Sequence, residues 1–265
     1  MCLILLGWQA HASTRLVLAA NRDEFFARAA DPAHAWPDAP QVLAGRDRSG
    51  GGTWLGITRQ GRLAALTNVR DPAHMRSDRP SRGHLVADFL RGQQRPDEYL
   101  DAVAARGDAY NGFNLVIGDV YGEQPALHWY SNVERKRVAL PPGIHGLSNA
   151  GLNTSWPKLQ AGRAAMQHAL AADAVALDGL ATALGDERIY PDPELPATGV
   201  PLAWERALSA AHIRTPAYGT RCTTLLTASA DGTIAFDEQT WLAGSGVASP
   251  RGIGPRRRFR FAVAF

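Results

Sequence analysis

Met1-Cys2-Leu3-Ile4-Leu5-Leu6-Gly7-Trp8, then Leu16-Val17-Leu18-Ala19-Ala20 running into Asn21-Arg22-Asp23-Glu24, is the stretch from which the fold of this chain is read. Two apolar runs of strand length flank the polar segment Gln9 to Arg15, which predicts a buried β-hairpin. That hairpin sets a cysteine at the start of one strand and a charged block at the end of its neighbour. With Met1 removed, Cys2 would carry a thiol and a free α-amine on one residue. Their ordinary pKa values, roughly 8.5 and roughly 7.7–8.0, let either group exchange protons near neutral pH. A nucleophile with its own base is the arrangement of N-terminal-nucleophile hydrolases.

Further strands and helices follow from periodicity. Phe25 to Ala30 is read as a short helical turn, followed by a loop containing Pro32, Pro37 and Pro40. Gly50-Gly51-Gly52 leads into Thr53-Trp54-Leu55-Gly56-Ile57, which reverses at Gly61 into Leu63 to Asn68 as a second hairpin. The glycine cluster lacks the Lys-Ser or Lys-Thr of a phosphate loop and enters a strand, so it carries no nucleotide-binding signal. Ser81 is placed to cap a helix burying Leu85, Val86, Phe89 and Leu90, and a second helix starts near Pro96. Asn111 to Gly118, Ala126 to Tyr130 and Ile144 to Asn149 read as strands, and Trp156 to Ala172 and Ala174 to Leu184 as helices. The segment from Tyr190 to Val200, with Pro191, Pro193 and Pro196, reads as a loop or lid. Thr220 to Thr227 and Thr233 to Phe236 form a third hairpin around Asp231-Gly232. Strands at both ends and in the middle, with helices in pairs between them, give an α+β order rather than a βαβ repeat.

The bulk numbers narrow the function classes. A chain of 265 residues, 45% hydrophobic and 20% charged, has ample material for a core and is read as one domain spanning 1–265. The net charge of +3 is small for this length and neither demands nor excludes an acidic partner; no nucleic-acid partner is expected, because the arginines at the C-terminal end read as a strand rather than a nucleic-acid arm. Arg258 and Arg260 alternate with Phe259, Phe261, Val263 and Phe265, the period of a half-buried final strand. The two cysteines, Cys2 and Cys222, form no disulfide framework and suit a reducing, cytoplasmic setting. No segment approaches the ~18 apolar residues of a membrane span. The eight histidines show no zinc-ligand spacing, so no metal is expected.

Polar groups punctuate the strand ends: Cys2, Asn21-Arg22-Asp23, Asn68, Asn149 and Arg221. A thiol, an acid, side-chain amides and guanidiniums are the parts needed to attack an amide and hold the oxyanion that forms. Asn21-Arg22-Asp23-Glu24 also resembles the block that names the NRDE family, the transport and Golgi organisation protein 2 family. Gly51-Gly52-Thr53-Trp54-Leu55-Gly56, Asn111-Gly112-Phe113-Asn114-Leu115, His145-Gly146-Leu147-Ser148-Asn149, Trp156-Pro157-Lys158 and Tyr218-Gly219-Thr220-Arg221 extend the resemblance over nearly the whole chain. The family is similar to the choloylglycine and penicillin V acylases, which implies a four-layer αββα N-terminal-nucleophile fold of antiparallel sheets. By that resemblance Cys2 is the nucleophile, Asp23 the acid near its amine, Asn68 and Asn149 the oxyanion-side amides and Arg221 the cation beside the thiol.

Asn21, Arg22 and His145 are candidates for ligand binding. The acylases carry an arginine a few residues before the aspartate, where this chain has Ala20. Because neighbouring strand residues point to opposite faces, Arg22 is expected to face away from a site that contains Asp23. The resulting expectation is hydrolysis of a linear, non-peptide amide through a Cys2 acyl-enzyme. The alternative is a carrier that holds haem, a lipid or an acyl-CoA in the same cleft without chemistry. Either way the partner is a small molecule, with no cofactor other than haem as transported cargo.

Overall fold

The computed structural model describes residues 2–243 and 252–264; Met1 and Phe265 lie outside the described residues. The first hairpin forms as expected, with β1 (Cys2–His11) antiparallel to β2 (Thr14–Phe25). Strand alternation divides its side chains cleanly. Ile4, Leu6, Trp8, Leu16, Leu18 and Ala20 enter one buried cluster, and Leu3, Leu5, Val17 and Ala19 enter another. A hairpin apolar on both faces must be covered on both, and that requirement generates the layers.

On one side lies a second sheet. β3 (Ala30–Trp36), β4 (Ala39–Asp47), β5 (Leu55–Thr58), β6 (Arg62–Asn68), β7 (Phe113–Asp119), β8 (Ala126–Ser131) and β9 (Lys136–Ala139) pair consecutively. Their inward residues, among them Leu43, Ile57, Leu63, Ala65, Val116 and Trp129, meet the even-numbered face of β1 and β2. The first sheet is completed by β10 (Gly143–Leu147), β11 (Tyr218–Ser229), β12 (Thr233–Leu242) and β13 (Gly252–Ala262), in the order β10-β1-β2-β11-β12-β13. Helices α1 (Gly83–Arg91) and α2 (Pro96–Ala105) cover the seven-stranded sheet through Leu85, Phe89, Tyr99 and Val103. Helices α3 (Pro157–Leu170) and α4 (Leu177–Leu184) cover the six-stranded one through Leu159, Met166, Leu180 and Leu184. A short helix α5 (Leu202–Ser209) closes the flank with Leu208 against Ile213 and Tyr218. The result is the αββα sandwich. Each fully buried Leu, Ile or Phe contributes about 1.5–3 kcal/mol, so three apolar layers amply support it.

Two local expectations are corrected. Residues 30–47, read as a proline-rich loop, are β3 and β4. β3 is an edge strand whose pairing shifts between Asp31 and His34, and an edge position tolerates Pro32 because no ladder hydrogen bond is lost there. Ser81 does not cap α1, which begins after Arg82 without a side-chain cap. The helix start is instead clamped by the glycine turn. Gly51 sits at φ +74°, and a Cβ on Gly52 would meet the Gly83 carbonyl carbon at 2.3 Å. The glycines therefore serve close backbone approach, with Thr53 N donating to Gly83 O at 3.2 Å. The final strand has its expected character: Phe259 and Phe261 pack on the core, while Arg256 and Arg258 pair with Asp237. No helix among the described residues is long and apolar enough to cross a membrane.

Candidate functional site

Pairing register decides which side chains meet at the open end of the sheets. Cys2 lies opposite Arg22, and on the far side of β2 the same Arg22 lies opposite Cys222. Directly opposed residues share a face, so Cys2, Arg22 and Cys222 form a row on the side facing the second sheet. Asn21 and Asp23 belong to the other face, towards the helices. Alternation holds as expected, but it is Arg22 that shares the thiol's face. The expectation that Arg22 would point away from Cys2 is corrected by the register.

Cys2 and Arg22 line a cleft of about 360 Å³, which also takes in Glu24, Arg28, Asp47, Trp54, Asn68 and the segment Arg76 to Gly83. The Arg22 guanidinium lies 4.3 Å from the centre of the Trp54 ring, a cation–π contact, and 3.9 Å from Asp47 Oδ2. Asp47 accepts from Arg28 Nε at 2.7 Å and from the Ser49 and Gly50 N–H groups. Burial alone would raise the Asp47 pKa; the bonds from Arg28 and Gly50 and the nearby cations outweigh it and hold the carboxyl below its ordinary value. The Cys2 thiol is pushed up by burial and by the Asp23 charge, with Arg22 pulling the other way. Cys222 is raised further, by burial and by its neighbour Glu238.

Behind the cleft, on the helix face, sits a buried polar layer. Asp23 Oδ1 accepts from Thr220 Oγ1 at 2.6 Å, and its backbone carbonyl accepts from Tyr218 Oη at 3.0 Å. Burial raises the Asp23 pKa, opposed mainly by the charge of Lys158. Lys158, in the first turn of α3, is itself buried and donates to Leu208 O at 2.8 Å and Ala210 O at 3.4 Å. Desolvation brings its pKa down to about 8. Beside them Arg70 and Glu205 form a buried ion pair at 2.6 Å, and Glu205 also accepts from Thr198 N and Oγ1, which ties down the proline-rich 190–200 segment.

The remaining expected residues fall into two groups. Asn68 reaches the cleft. Asn149 lies fully buried, its Nδ2 donating to Asn68 O at 2.9 Å, while its own carbonyl accepts from Arg70 N at 2.8 Å. This exchange ties the ends of β10 and β6 together across the two sheets. Asn21, Arg221 and His145 are engaged elsewhere. Asn21 donates to Leu184 O and Ala211 O, both at 2.8 Å, and accepts from Thr223 Oγ1 at 2.7 Å. His145 Nε2 donates to Pro141 O at 2.8 Å. Arg221 sits at the bulge between Thr220 and Cys222, and its Nη1 donates to Phe25 O, Phe26 O and Arg28 O at 2.8, 3.3 and 3.0 Å. It braces the turn that carries Arg28, rather than lining the Cys2 cleft. Among the described residues, no group of three or more His, Cys, Asp or Glu side chains is set to hold a metal ion.

Sequence reasoning missed Lys158, Arg70, Glu205, Arg79 and Arg82 as parts of this region. Lys158 did leave a signal: with Gly162, Met166 and Ala169 it falls on the buried stripe of α3, where a lysine has no ordinary reason to be.

Comparison with known proteins agrees with this architecture. The profile of the Transport and Golgi organisation 2 family matches residues 1–243. The chain belongs to that family. It is 42% identical over 243 residues to the Bos taurus Transport and Golgi organization protein 2 homolog, covering 86% of this chain and 87% of that protein. The Homo sapiens homolog is 37% identical over 243 residues, with the same coverage. Among solved structures, the Caenorhabditis elegans N-acylethanolamine-hydrolyzing acid amidase ortholog superposes with a TM-score of 0.50 at 10% identity, covering 85% of this chain and 92% of that one. At such low identity the likeness concerns the fold alone, the αββα sandwich of antiparallel sheets described above.

Proposed function

We propose that this family member is a cysteine amidohydrolase of the N-terminal-nucleophile type, acting on a linear, non-peptide amide through Cys2. The observation that carries the reading is the row Cys2–Arg22 at the floor of an open cleft, with a buried carboxylate, Asp23, directly behind it. A buried thiol is protonated at neutral pH and needs a base. With Met1 removed, the Cys2 α-amine takes the thiol proton, and Asp23 holds the resulting ammonium. The sulfur attacks the amide carbonyl carbon, and the oxygen gains the negative charge. Asn68 donates to that oxygen, held in place by Asn149, and Arg22 supplies a positive field on the same side. The tetrahedral intermediate collapses with loss of the amine, which takes the proton from the ammonium. Water then cleaves the thioester by the same route, returning the thiol and releasing a carboxylic acid. Arg221 takes the role of a brace for the turn after β2.

Acylation by an activated ester tests this directly. Protein lacking Met1, treated with 4-nitrophenyl acetate, should release a stoichiometric burst of nitrophenol and gain one acetyl group on the Cys2 peptide. Cys2→Ala should do neither. Equal bursts from both proteins would sink the nucleophile.

A second reading, a carrier that holds its ligand in the same cleft without chemistry, draws on the thiol's burial, which keeps it protonated and unreactive. Haem as cargo would then give a Soret shift at stoichiometric protein, and Cys2 would stay unacylated.

A further inference from the structure

We infer that the wall of the Cys2 cleft formed by Arg79 and Arg82 is an oxyanion-binding subsite, and that the cleft's ligand carries a phosphate or carboxylate group. Among the described residues, five arginines line the cleft (Arg22, Arg28, Arg76, Arg79 and Arg82), against the carboxylates of Asp23, Glu24 and Asp47. Their partners separate them. Arg28 is committed to Asp47 at 2.7 Å, and Arg22 lies 3.9 Å from the same carboxylate and stacks on Trp54. Arg76 is paired with Asp78 at 2.9 Å. Arg79 and Arg82 differ. Each donates through Nη1 to a backbone carbonyl, Asp108 O at 2.5 Å and Gly112 O at 2.9 Å respectively. Among the described residues' ion pairs neither has a carboxylate within 4.0 Å.

A guanidinium offers five N–H donors in a planar fork, so one carbonyl contact leaves most of each fork for a ligand. Both side chains are half-buried, Glu24 across the cleft acts on Arg82 only from beyond ion-pair distance, and a bound anion would offset the cost of charge partly withdrawn from water. The two arginines are three residues apart, flanking Pro80-Ser81 immediately before α1, whose N-terminal end adds field of the same sign. They also form, with Asn111, the wall shared between the Cys2 cleft and a neighbouring cavity of about 330 Å³. An anion there is reachable by a ligand whose reactive carbonyl sits at Cys2. The inference deepens the amidohydrolase reading by naming the class of acyl donor, and it rests on that cleft being the substrate site.

Cys2→Ala protein allows anion binding to be measured without turnover, so that failure of the nucleophile and failure of the anion subsite give different results. Titration with pyrophosphate and, separately, with succinate, followed by calorimetry, should give saturable binding to one of them. The tighter one names the group, phosphate or carboxylate. Adding Arg79→Gln or Arg82→Gln should weaken that binding about tenfold, the loss of a charge-assisted hydrogen bond. Arg95→Gln, a charge removed from the exposed start of α2, should leave it within about twofold. Absence of saturable binding to both probes would overturn the inference, as would equal weakening by all three substitutions, which would mean general charge attraction. Should Arg82→Gln fail to fold, Arg79→Gln alone decides, since among the described residues its side chain holds one carbonyl, that of Asp108.

Discussion

The two faces of β2 at its charged end carry similar polar side chains and use them in opposite ways. Towards the helices, Asn21 spends both amide hydrogens and its oxygen on Leu184, Ala211 and Thr223, and Lys158 is seated on two carbonyls beside Asp23. Towards the second sheet, Arg22 meets a ring and a carboxylate at 3.9 Å and opens onto the cleft beside Cys2. One face is a closed network that fixes the end of the strand. The other presents charge to whatever enters. Substitutions on the helix face should therefore cost stability, and substitutions on the cleft face should cost chemistry.

The largest effect expected is on the cleft face. Cys2→Ala should lower the rate of amide or ester turnover at least about a thousandfold, because the covalent route is gone. It should change the unfolding free energy by less than about 1 kcal/mol, since the side chain is small. A stability loss matching that of helix-face variants, measured by urea unfolding, would erase the distinction between the faces.

Lys158 gives the next largest effect, and it appears in pH dependence. Its folded-state pKa of about 8 lies below the roughly 10.4 of an exposed lysine. Between those values the unfolded chain binds more protons than the folded one, so stability rises with pH across that window. Lys158→Met removes this slope. The unfolding free energy of the native protein, relative to the variant, should increase by about 3 kcal/mol from pH ~8 to pH ~10.4. A flat difference would mean that the Lys158 amine is solvated.

Asn21→Ala should cost about 2 kcal/mol in urea unfolding, because it strands two carbonyls and a hydroxyl in a buried layer. The turnover of the molecules that remain folded should be unchanged. A selective loss of activity would instead move Asn21 to the chemical side of the comparison.

How much of this was legible in the sequence follows from the same geometry. The first hairpin is legible as two apolar runs and the helix face of Leu85 and Phe89 as a period of 3.6, whereas the four-layer αββα arrangement was implied by the family resemblance. β3 and β4 were obscured because Pro32, Pro37 and Pro40 read as loop punctuation, and the tolerance of an edge strand for proline depends on pairing that sequence does not display. The polar residues of the site could be collected as strand ends, but their faces could not be sorted. Whether Arg22 or Asp23 shares a side with Cys2 depends on a register of one residue, and a slip of one would exchange them. For Lys158 the burial was legible on the stripe of α3 but the partners were not: they come from the end of α5 and the residue after it, a long-range contact.

The smallest effect separates two arginines that sequence alone could not rank. Arg221 spends its Nη1 on three carbonyls of the 25–28 turn, whereas Arg22 faces Cys2 across one strand pair. Arg221→Gln should lower stability by about 1 kcal/mol, the scale of lost hydrogen bonds on a half-exposed side chain, and leave turnover within about twofold. Arg22→Gln should lower turnover about tenfold, by removing a charge beside the thiol and the developing oxyanion. The pH profile discriminates further. Without Arg22 the Cys2 thiol loses a cation that favours its ionised form, so the rising limb of the acylation rate should move to higher pH; Arg221→Gln should leave that limb in place. If both variants moved it equally, the turn braced by Arg221 would be acting on the thiol through Arg28, and the division between a scaffold arginine and a cleft arginine would have to be redrawn around that turn.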